Sequence, residues 1–273
     1  MKKHYLLVLF LFFFCGMQAD EVKVLDVNTY SLAISPNGKY LVGYNPTKVQ
    51  SGVGTESFVY DVGSGSLKWV TTDDPEHWKT CGLFKDVNDA GTLCGSVKDL
   101  DHIIEFYGTS APTNIAAIFE NGEVVKLPYG NLDMTKIKQH EDGTFAAALS
   151  NDGKVVAGYC KCSNFAFSYP CKWTRGANNE WKMEQLPLPE SYEYGLAVNV
   201  SADGRTIVGL AMEGGRAIAC YWIDGKCYTV NCKSEDDELA KMKQMRMIDM
   251  SPNGKYFIFS LSSRSDYRLF DVE

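Results

Sequence analysis

The sequence lacks several features that whole classes of protein require. It has 4 His and 9 Pro among 273 residues, and it contains no G-x-S-x-G motif and no C-x-x-C pair. The absence of G-x-S-x-G argues against the nucleophile elbow of a serine hydrolase, and the absence of C-x-x-C argues against the common zinc ligand sets. Basic residues are also in the minority, with 27 Lys+Arg against 34 Asp+Glu and a net charge of −7. This balance argues against a nucleic-acid partner, because phosphate binding favours a basic face.

One long apolar run occurs, Tyr5–Cys15, and it is too short for a membrane span, which needs about 20 residues. It follows two lysines and precedes Ala19, an order typical of a signal peptide over residues 1–19. We therefore expect an exported chain of residues 20–273 in the periplasm, at the cell surface or in the medium, with no membrane span. Attachment as a lipoprotein through Cys15 is an alternative.

Cysteine, in contrast, is abundant. An even number remains after the signal peptide is removed, and in an exported protein this permits disulfides. The alternative is that several are buried free thiols, which behave as small apolar side chains. Spacing does not choose between the two or fix a connectivity. The nine positions are Cys15, Cys81, Cys94, Cys160, Cys162, Cys171, Cys220, Cys227 and Cys232.

The chain repeats itself. Four copies of one motif carry a Ser or Asn, a variable residue, an Asp or Asn and a Gly, followed by an apolar segment. They read SPNGKYLVG (35–43), SNDGKVVAG (150–158), SADGRTIVG (201–209) and SPNGKYFIF (251–259), with a looser copy, NDAGTLCG, at 88–95. Five units of about 50 residues match the length of four short strands each.

Each unit has the composition of antiparallel β-structure. Short runs rich in β-branched and aromatic residues are separated by Asn-Gly and Asp-Gly pairs, which favour tight hairpin turns. The sequence therefore predicts a single all-β domain, a five-bladed β-propeller of four-stranded blades. The repeats cover approximately 29–72, 80–128, 143–189, 194–232 and 244–273. Because the last repeat stops after three strands, residues 21–28 are predicted to pair onto it and close the ring.

The repeats carry a family resemblance. Residues 251–272 resemble the repeat of TolB-type propellers, and residues 201–225 are similar to the HAF-type repeats of extracellular bacterial proteins. The resemblance covers nearly all of the predicted domain and implies propeller blades. It implies no particular activity, since propellers host many unrelated functions. One departure is Phe259, which stands where the other repeats have a second Gly.

Several polar and aromatic positions are better explained by structure than by chemistry. The repeated Asp-Gly and Asn-Gly sites are interpreted as hairpin turns, so that Gly153 and Gly204 are expected at positive φ. Trp173 and Trp222 occupy equivalent positions in two repeats, which indicates core residues rather than sugar-binding platforms. We predict no metal site and no cofactor.

Paired carboxylates provide one enzymatic hypothesis. The first strand of each unit should lie nearest the axis of the ring. At the equivalent position before their turns these strands carry Ala33, Asp86, Ala148, Asn199 and Asp249. Asp86 and Asp249 are therefore candidates for the two acids of a glycan-active hydrolase.

Long loops provide the main hypothesis, a non-catalytic binding or interaction scaffold. They connect strands two and three, and successive units, on the face opposite the tight turns, where binding groups concentrate. They hold aromatic and polar residues suited to a carbohydrate, a peptide or an envelope protein. The candidate ligand-binding residues are His77, Trp78, His102, Glu105, Tyr107 and Tyr129, with His140 on the same face. A structural role in a cell-envelope assembly is a third hypothesis.

Overall fold

The computed structural model describes most of the predicted domain. The described residues are 30–45, 56–70, 82–106, 108–139, 141–162, 167–214, 216–230, 245–261 and 267–272. The predicted signal peptide with Cys15, the predicted closing strand 21–28, and the loop residues His77, Trp78, Tyr107 and His140 lie outside them. Within the described residues, no helix is long and apolar enough to cross a membrane.

The described chain forms five consecutive antiparallel meanders, confirming the all-β prediction. Meander 1 consists of β1 (Tyr30–Ile34), β2 (Tyr40–Asn45), β3 (Glu56–Asp61) and β4 (Ser66–Trp69). Meander 2 consists of β5 (Leu83–Val87), β6 (Leu93–Phe106), β7 (Thr109–Glu120) and β8 (Glu123–Lys126). Meander 3 consists of β9 (Gly143–Leu149), β10 (Val155–Cys162), β11 (Phe167–Arg175) and β12 (Trp181–Gln185).

The last two meanders differ in strand number. Meander 4 consists of β13 (Tyr194–Val200), β14 (Thr206–Glu213), β15 (Arg216–Ile223) and β16 (Lys226–Thr229). Meander 5 has three strands among the described residues, β17 (Met245–Met250), β18 (Tyr256–Leu261) and β19 (Tyr267–Asp271). A parallel bridge between Asn114 and Gly143 joins meanders 2 and 3 into one eight-stranded sheet.

The repeated motif forms the turn between the first and second strands. In meander 3, Ser150 Oγ donates to Asp152 Oδ1 at 2.7 Å and accepts from Val155 N at 2.9 Å. Gly153 and Gly204 have φ values of 71° and 74°, as predicted. The polar side chains of the motif are thus engaged in building the turn, which agrees with its interpretation as a hairpin.

The second glycine of the motif faces a β-bulge. In meander 4 the register shifts between Ala197 and Asn199, so that Val198 is an extra residue in β13. Gly209 lies opposite this bulge, and a Cβ there would lie 1.9 Å from the Leu196 carbonyl oxygen. Every meander has the same bulge, with Leu32, Lys85, Ala147, Val198 and Ile248 as the extra residues.

The hydrophobic core is divided among the interfaces between successive meanders. Four buried clusters form, one for each pair of neighbours from meanders 1 and 2 to meanders 4 and 5. Trp173 and Trp222 are fully buried, and each indole N–H donates to a proline carbonyl of the preceding connection, that of Pro128 or Pro187. The prediction that these tryptophans belong to the core is confirmed.

The described cysteines are free thiols, five of them buried. Cys160 and Cys162 lie on the same face of β10 with their sulfurs 3.6 Å apart. For these positions the structure agrees with the free-thiol alternative. Cys81 and Cys232 lie outside the described residues.

Candidate functional site

The first strands and their turns surround a cavity of about 560 Å³. All five meanders contribute to its wall, because each presents the residue that follows its bulge. These residues are Ala33, Asp86, Ala148, Asn199 and Asp249. Asp86 and Asp249 therefore face one space, as their equivalent positions in the repeat indicated. Whether either is catalytic stays a prediction.

The bulge explains why polar side chains are favoured on this wall. A bulge frees the next backbone N–H from the ladder, and the side chain of the wall residue accepts from it. Asp86 Oδ1 accepts from Val87 N at 2.9 Å, and Asp249 Oδ1 accepts from Met250 N at 2.8 Å. Asn199 Oδ1 makes the same bond to Val200 N.

The wall residues also bond forward to the next meander. Ala148 has no acceptor for the freed N–H of Leu149, and Asp86 Oδ2 accepts from that N–H at 2.8 Å. Asn199 Nδ2 donates to Asp249 Oδ1 at 3.1 Å. Each bond links the inner strands of two neighbours, so the polar wall also holds meanders together.

Asp86 has an unusual protonation equilibrium. Burial raises its pKa to about 6, and the nearby charge of Asp249 acts in the same direction. The bonds from Leu149 N and Val87 N favour the ionised form and act against this rise. Beside it, burial and the charge of Asp86 raise the pKa of the Cys94 thiol.

Lys85 also lines the cavity, and sequence reasoning missed it. It is the extra residue of the bulge in β5, and burial lowers the pKa of its ammonium group. The other four meanders carry apolar residues at this position, namely Leu32, Ala147, Val198 and Ile248. An alignment of the repeats therefore contained the signal, a single charged residue in an apolar column.

A belt of hydrogen bonds joins the turns around the rim. Asp89 connects three of them, because its carboxylate accepts from Asn37 N at 2.8 Å and from Asn151 Nδ2 at 2.8 Å. Asp89 N in turn donates to Asn151 Oδ1 at 2.9 Å. The belt continues by backbone bonds from Asn151 N to the Ala202 carbonyl and from Ala202 N to the Pro252 carbonyl. The mouth of the cavity is thus built from the turns.

The described members of the predicted loop site, His102, Glu105 and Tyr129, lie elsewhere. The β6–β7 hairpin turns at the end of meander 2 away from the Asn88–Gly91 turn. On it, buried Asp99 accepts from Tyr129 OH at 2.7 Å and lies 2.8 Å from His102 Nδ1. His102 and Tyr129 therefore come together, whereas Glu105 is exposed nearer the tip of the hairpin. None of these three lines the cavity.

Lys126 completes the cluster on Asp99, with its ammonium 2.9 Å from Oδ1. Burial alone would raise the pKa of Asp99, but the hydrogen bonds from Lys126, Tyr129 and His102 hold it below its usual value. Burial and Asp99 together raise the pKa of Tyr129. In the described part of the chain, no three His, Cys, Asp or Glu side chains are grouped to hold a metal ion.

Comparison with known proteins identifies the fold. TolB from Acinetobacter baumannii is similar with a TM-score of 0.50 and 13% identity over 84% of this chain. The tricorn protease has a TM-score of 0.51 and 11% identity over 90% of this chain. The β-propeller domain of the Trilobed protease from Pyrococcus furiosus has a TM-score of 0.50 and 14% identity over 89%.

The chain spans 48%, 25% and 64% of these three proteins, respectively. No protein-family model and no curated protein sequence matches it. The structural neighbours thus agree with a propeller of the TolB type. At these identities the likeness concerns the fold alone.

Proposed function

We propose that the chain is a non-catalytic binding scaffold whose ligand site is the central cavity. One observation carries the proposal: all five meanders present equivalent residues to one cavity of about 560 Å³. This volume lies within the usual range of small-molecule sites, and its wall combines small apolar residues with a few polar groups.

The same proposal includes the architecture. The five meanders are the blades of a ring, and residues 21–28 supply the fourth strand of meander 5. In support, β19 has no outer neighbour among the described residues, and Leu269 on it is 69% exposed. The Pyrococcus furiosus propeller, described as having an open velcro topology, represents the alternative of an unsealed ring. The basic and apolar N-terminus supports export.

The contacts of Asp86 favour binding over hydrolysis. Both of its carboxylate oxygens accept backbone N–H groups, from Val87 and from Leu149. A carboxylate held in this way acts as a structural acceptor. The loop residues His77, Trp78, Tyr107, His102, Glu105 and Tyr129 stay a prediction for a second binding surface, and two of them are already engaged by Asp99.

A cavity-filling variant tests the proposal without assuming the ligand. The purified chain is screened against soluble oligosaccharides and peptides, and each ligand found is remeasured with Ala33→Phe. Filling the wall should weaken binding at least 10-fold, whereas Ala177→Leu on an exposed turn should leave it unchanged. Equal affinity of the wild type and Ala33→Phe would place the ligand outside the cavity.

Hydrolysis of a glycan is the second candidate, favoured by one observation. Burial raises the pKa of Asp86 to about 6, and Asp86 faces the same cavity as Asp249. A pair of carboxyl groups that includes one with a raised pKa is what acid–base cleavage uses. Turnover of any glycan that binds, lost in both Asp86→Asn and Asp249→Asn, would replace the binding proposal by this one. A role in a cell-envelope assembly stays a prediction from the sequence.

A further inference from the structure

We propose that the central cavity binds a small zwitterion of the amino-acid type, with Asp249 taking the ammonium group and Lys85 the carboxylate. The inference rests on the proposed function, because it names the ligand class of the same cavity. It follows from two residues of opposite charge, Lys85 and Asp249, that line one cavity and form no ion pair with each other.

Lys85 is a charge that the fold does not require. Four of the five meanders build the same bulge with an apolar residue, so a lysine is not needed to form it. Its ammonium group is partly desolvated and makes no ion pair with a described residue. Because desolvating an unpaired charge is costly, an anionic group in the cavity would stabilise it.

Asp249 offers the complementary group. Its Oδ1 accepts from Met250 N and Asn199 Nδ2, which fixes the direction of the carboxylate. Its Oδ2 accepts no hydrogen bond from a described residue, and the side chain is exposed within the cavity wall. A ligand ammonium group would find there an oriented acceptor whose Oδ2 takes no hydrogen bond from the described part of the chain.

A ligand with one charge would satisfy half of this arrangement. An amine would leave Lys85 without an anionic partner, and a carboxylate would pair with Lys85 but leave Asp249 without a cationic partner. Asp86 is not needed as a ligand group, since backbone N–H groups occupy both of its oxygens. Ala33 and Ala148 in the same wall have small side chains, which leave room in the cavity for a ligand.

Isothermal titration of the purified chain at pH 7 tests the assignment. The probes are glycine, 4-aminobutanoate and 6-aminohexanoate, whose charges are progressively farther apart, with hexylamine and hexanoate as probes of one charge. We expect one zwitterion to bind at least 10-fold more tightly than either single-charge probe. The preferred chain length would report the separation of the two protein groups.

Two variants separate the roles. Lys85→Met should reduce the best zwitterion to the affinity of hexylamine, and Asp249→Asn should reduce it to the affinity of hexanoate. Lys182→Met on exposed β12 and Asp271→Asn on exposed β19 are the matched controls and should change nothing. Circular dichroism melting confirms folding, and Lys85→Met should melt no lower than the wild type, because apolar residues fit the other bulges.

The outcomes also separate this inference from the proposed function. If hexylamine or hexanoate equals the best zwitterion, or folded Lys85→Met binds it unchanged, the zwitterion assignment is wrong while cavity binding stands. If no zwitterion binds, the assignment is also wrong, and the oligosaccharide and peptide screen with Ala33→Phe decides the proposed function by itself.

Discussion

The interface between meanders 3 and 4 differs from the junction at which the proposed ring would bring meanders 5 and 1 together. Meanders 3 and 4 share a buried cluster that includes Ala148, Ile207 and Trp222, and Asn151 N donates to the Ala202 carbonyl at the rim. At the other junction, no buried cluster of described residues contains members of both meanders. The rim position there is Pro252, which has no N–H with which to continue the belt.

The difference shows how the repeat works. Each interior meander donates one hydrogen bond forward at its turn. Meanders 2 and 4 make another through their wall residues, since Asp86 accepts from Leu149 N and Asn199 donates to Asp249. Meanders 1 and 5 carry Pro36 and Pro252 at the rim position. Meander 1 bonds forward from the next residue, because Asn37 N donates to Asp89 Oδ1, whereas the turn of meander 5 gives no such bond to another described residue. Meander 5 also replaces the second glycine by buried Phe259. The first and last meanders therefore differ from the interior ones, and in the proposed ring residues 21–28 would join them.

The largest effect is expected from adding one carbon atom inside an interior meander. Gly209→Ala would place Cβ 1.9 Å from the Leu196 carbonyl oxygen, so the backbone around the bulge would have to shift from its position in meander 4. Meander 5 holds Phe259 at the equivalent position, where the backbone is already arranged around a side chain. We expect a loss of more than about 4 kcal/mol in the free energy of unfolding, or failure to fold. Denaturant unfolding measures it.

Gly225→Ala is the control for that substitution. No atom lies within 4 Å of its added Cβ, and the cost arises from its φ of 77° alone. We expect about 1 kcal/mol there. Similar losses at the two positions would show that the bulge is not tightly packed against β14.

The next effect concerns the opposite junction. Deleting residues 21–28 should remove three to five strand hydrogen bonds from the outer edge of β19, a loss of about 3–5 kcal/mol at roughly 1 kcal/mol per bond. Thermal and denaturant unfolding compare the truncated and full chains. Unchanged stability would mean that the ring is not closed by this segment.

Much of the fold followed from the sequence because the repeat is local. The Asn-Gly and Asp-Gly turns, the strand order within a meander and the buried positions of Trp173 and Trp222 all depend on residues within one unit or on its register with the others. The wall positions Asp86 and Asp249 followed from the same alignment, since equivalent residues of a repeat occupy equivalent places.

The remaining features depend on contacts between units, which a repeat pattern does not encode. The bulge was not predicted, although it explains the second glycine of the motif. Consequently the sequence did not identify the extra residue of the bulge as a position of its own in the alignment of the repeats, and it did not single out Lys85. The loop residues were chosen for chemistry alone, and the pairing of His102 with Tyr129 through Asp99 required the hairpin geometry.

A third effect is the pH dependence of the free energy of unfolding that Asp86 causes at the interface between meanders 2 and 3. The pKa of Asp86 is about 6 in the folded chain, against 3.8 for an ordinary Asp side chain such as that of the unfolded chain. The folded state therefore binds this proton more tightly. Its stabilisation is therefore complete below about pH 4 and is lost as the pH rises through 6, by about 3 kcal/mol. Lys85, Cys94 and Asp249 are the titratable groups around it.

Asp86→Asn tests this dependence through the slope of stability against pH. The amide does not titrate, so the decrease between pH 4 and 6 should flatten, even though the amide nitrogen faces Leu149 N and lowers stability at every pH. Unfolding in urea at a series of pH values measures both. An equal slope in the two proteins would assign the pH dependence to other groups.

The smallest effect is the belt itself, and it addresses the comparison most directly. Asp89 links the turns of meanders 1, 2 and 3 by accepting from Asn37 N and Asn151 Nδ2. Asp89→Ala should cost about 1–2 kcal/mol, since these bonds are partly exposed to solvent. A double-mutant cycle with Asn151→Ala isolates the contact, and we expect a coupling energy of about 1 kcal/mol. The pair Asp89→Ala and Asp203→Ala shares no contact, so the effects of these two substitutions should be additive.

At the opposite junction Pro252→Ala would restore an N–H, yet without a prepared acceptor it should change stability by no more than about 1 kcal/mol. A coupling near zero for Asp89 and Asn151 would mean that the interior meanders are held by their buried clusters alone, and that the missing N–H at Pro252 does not weaken the junction.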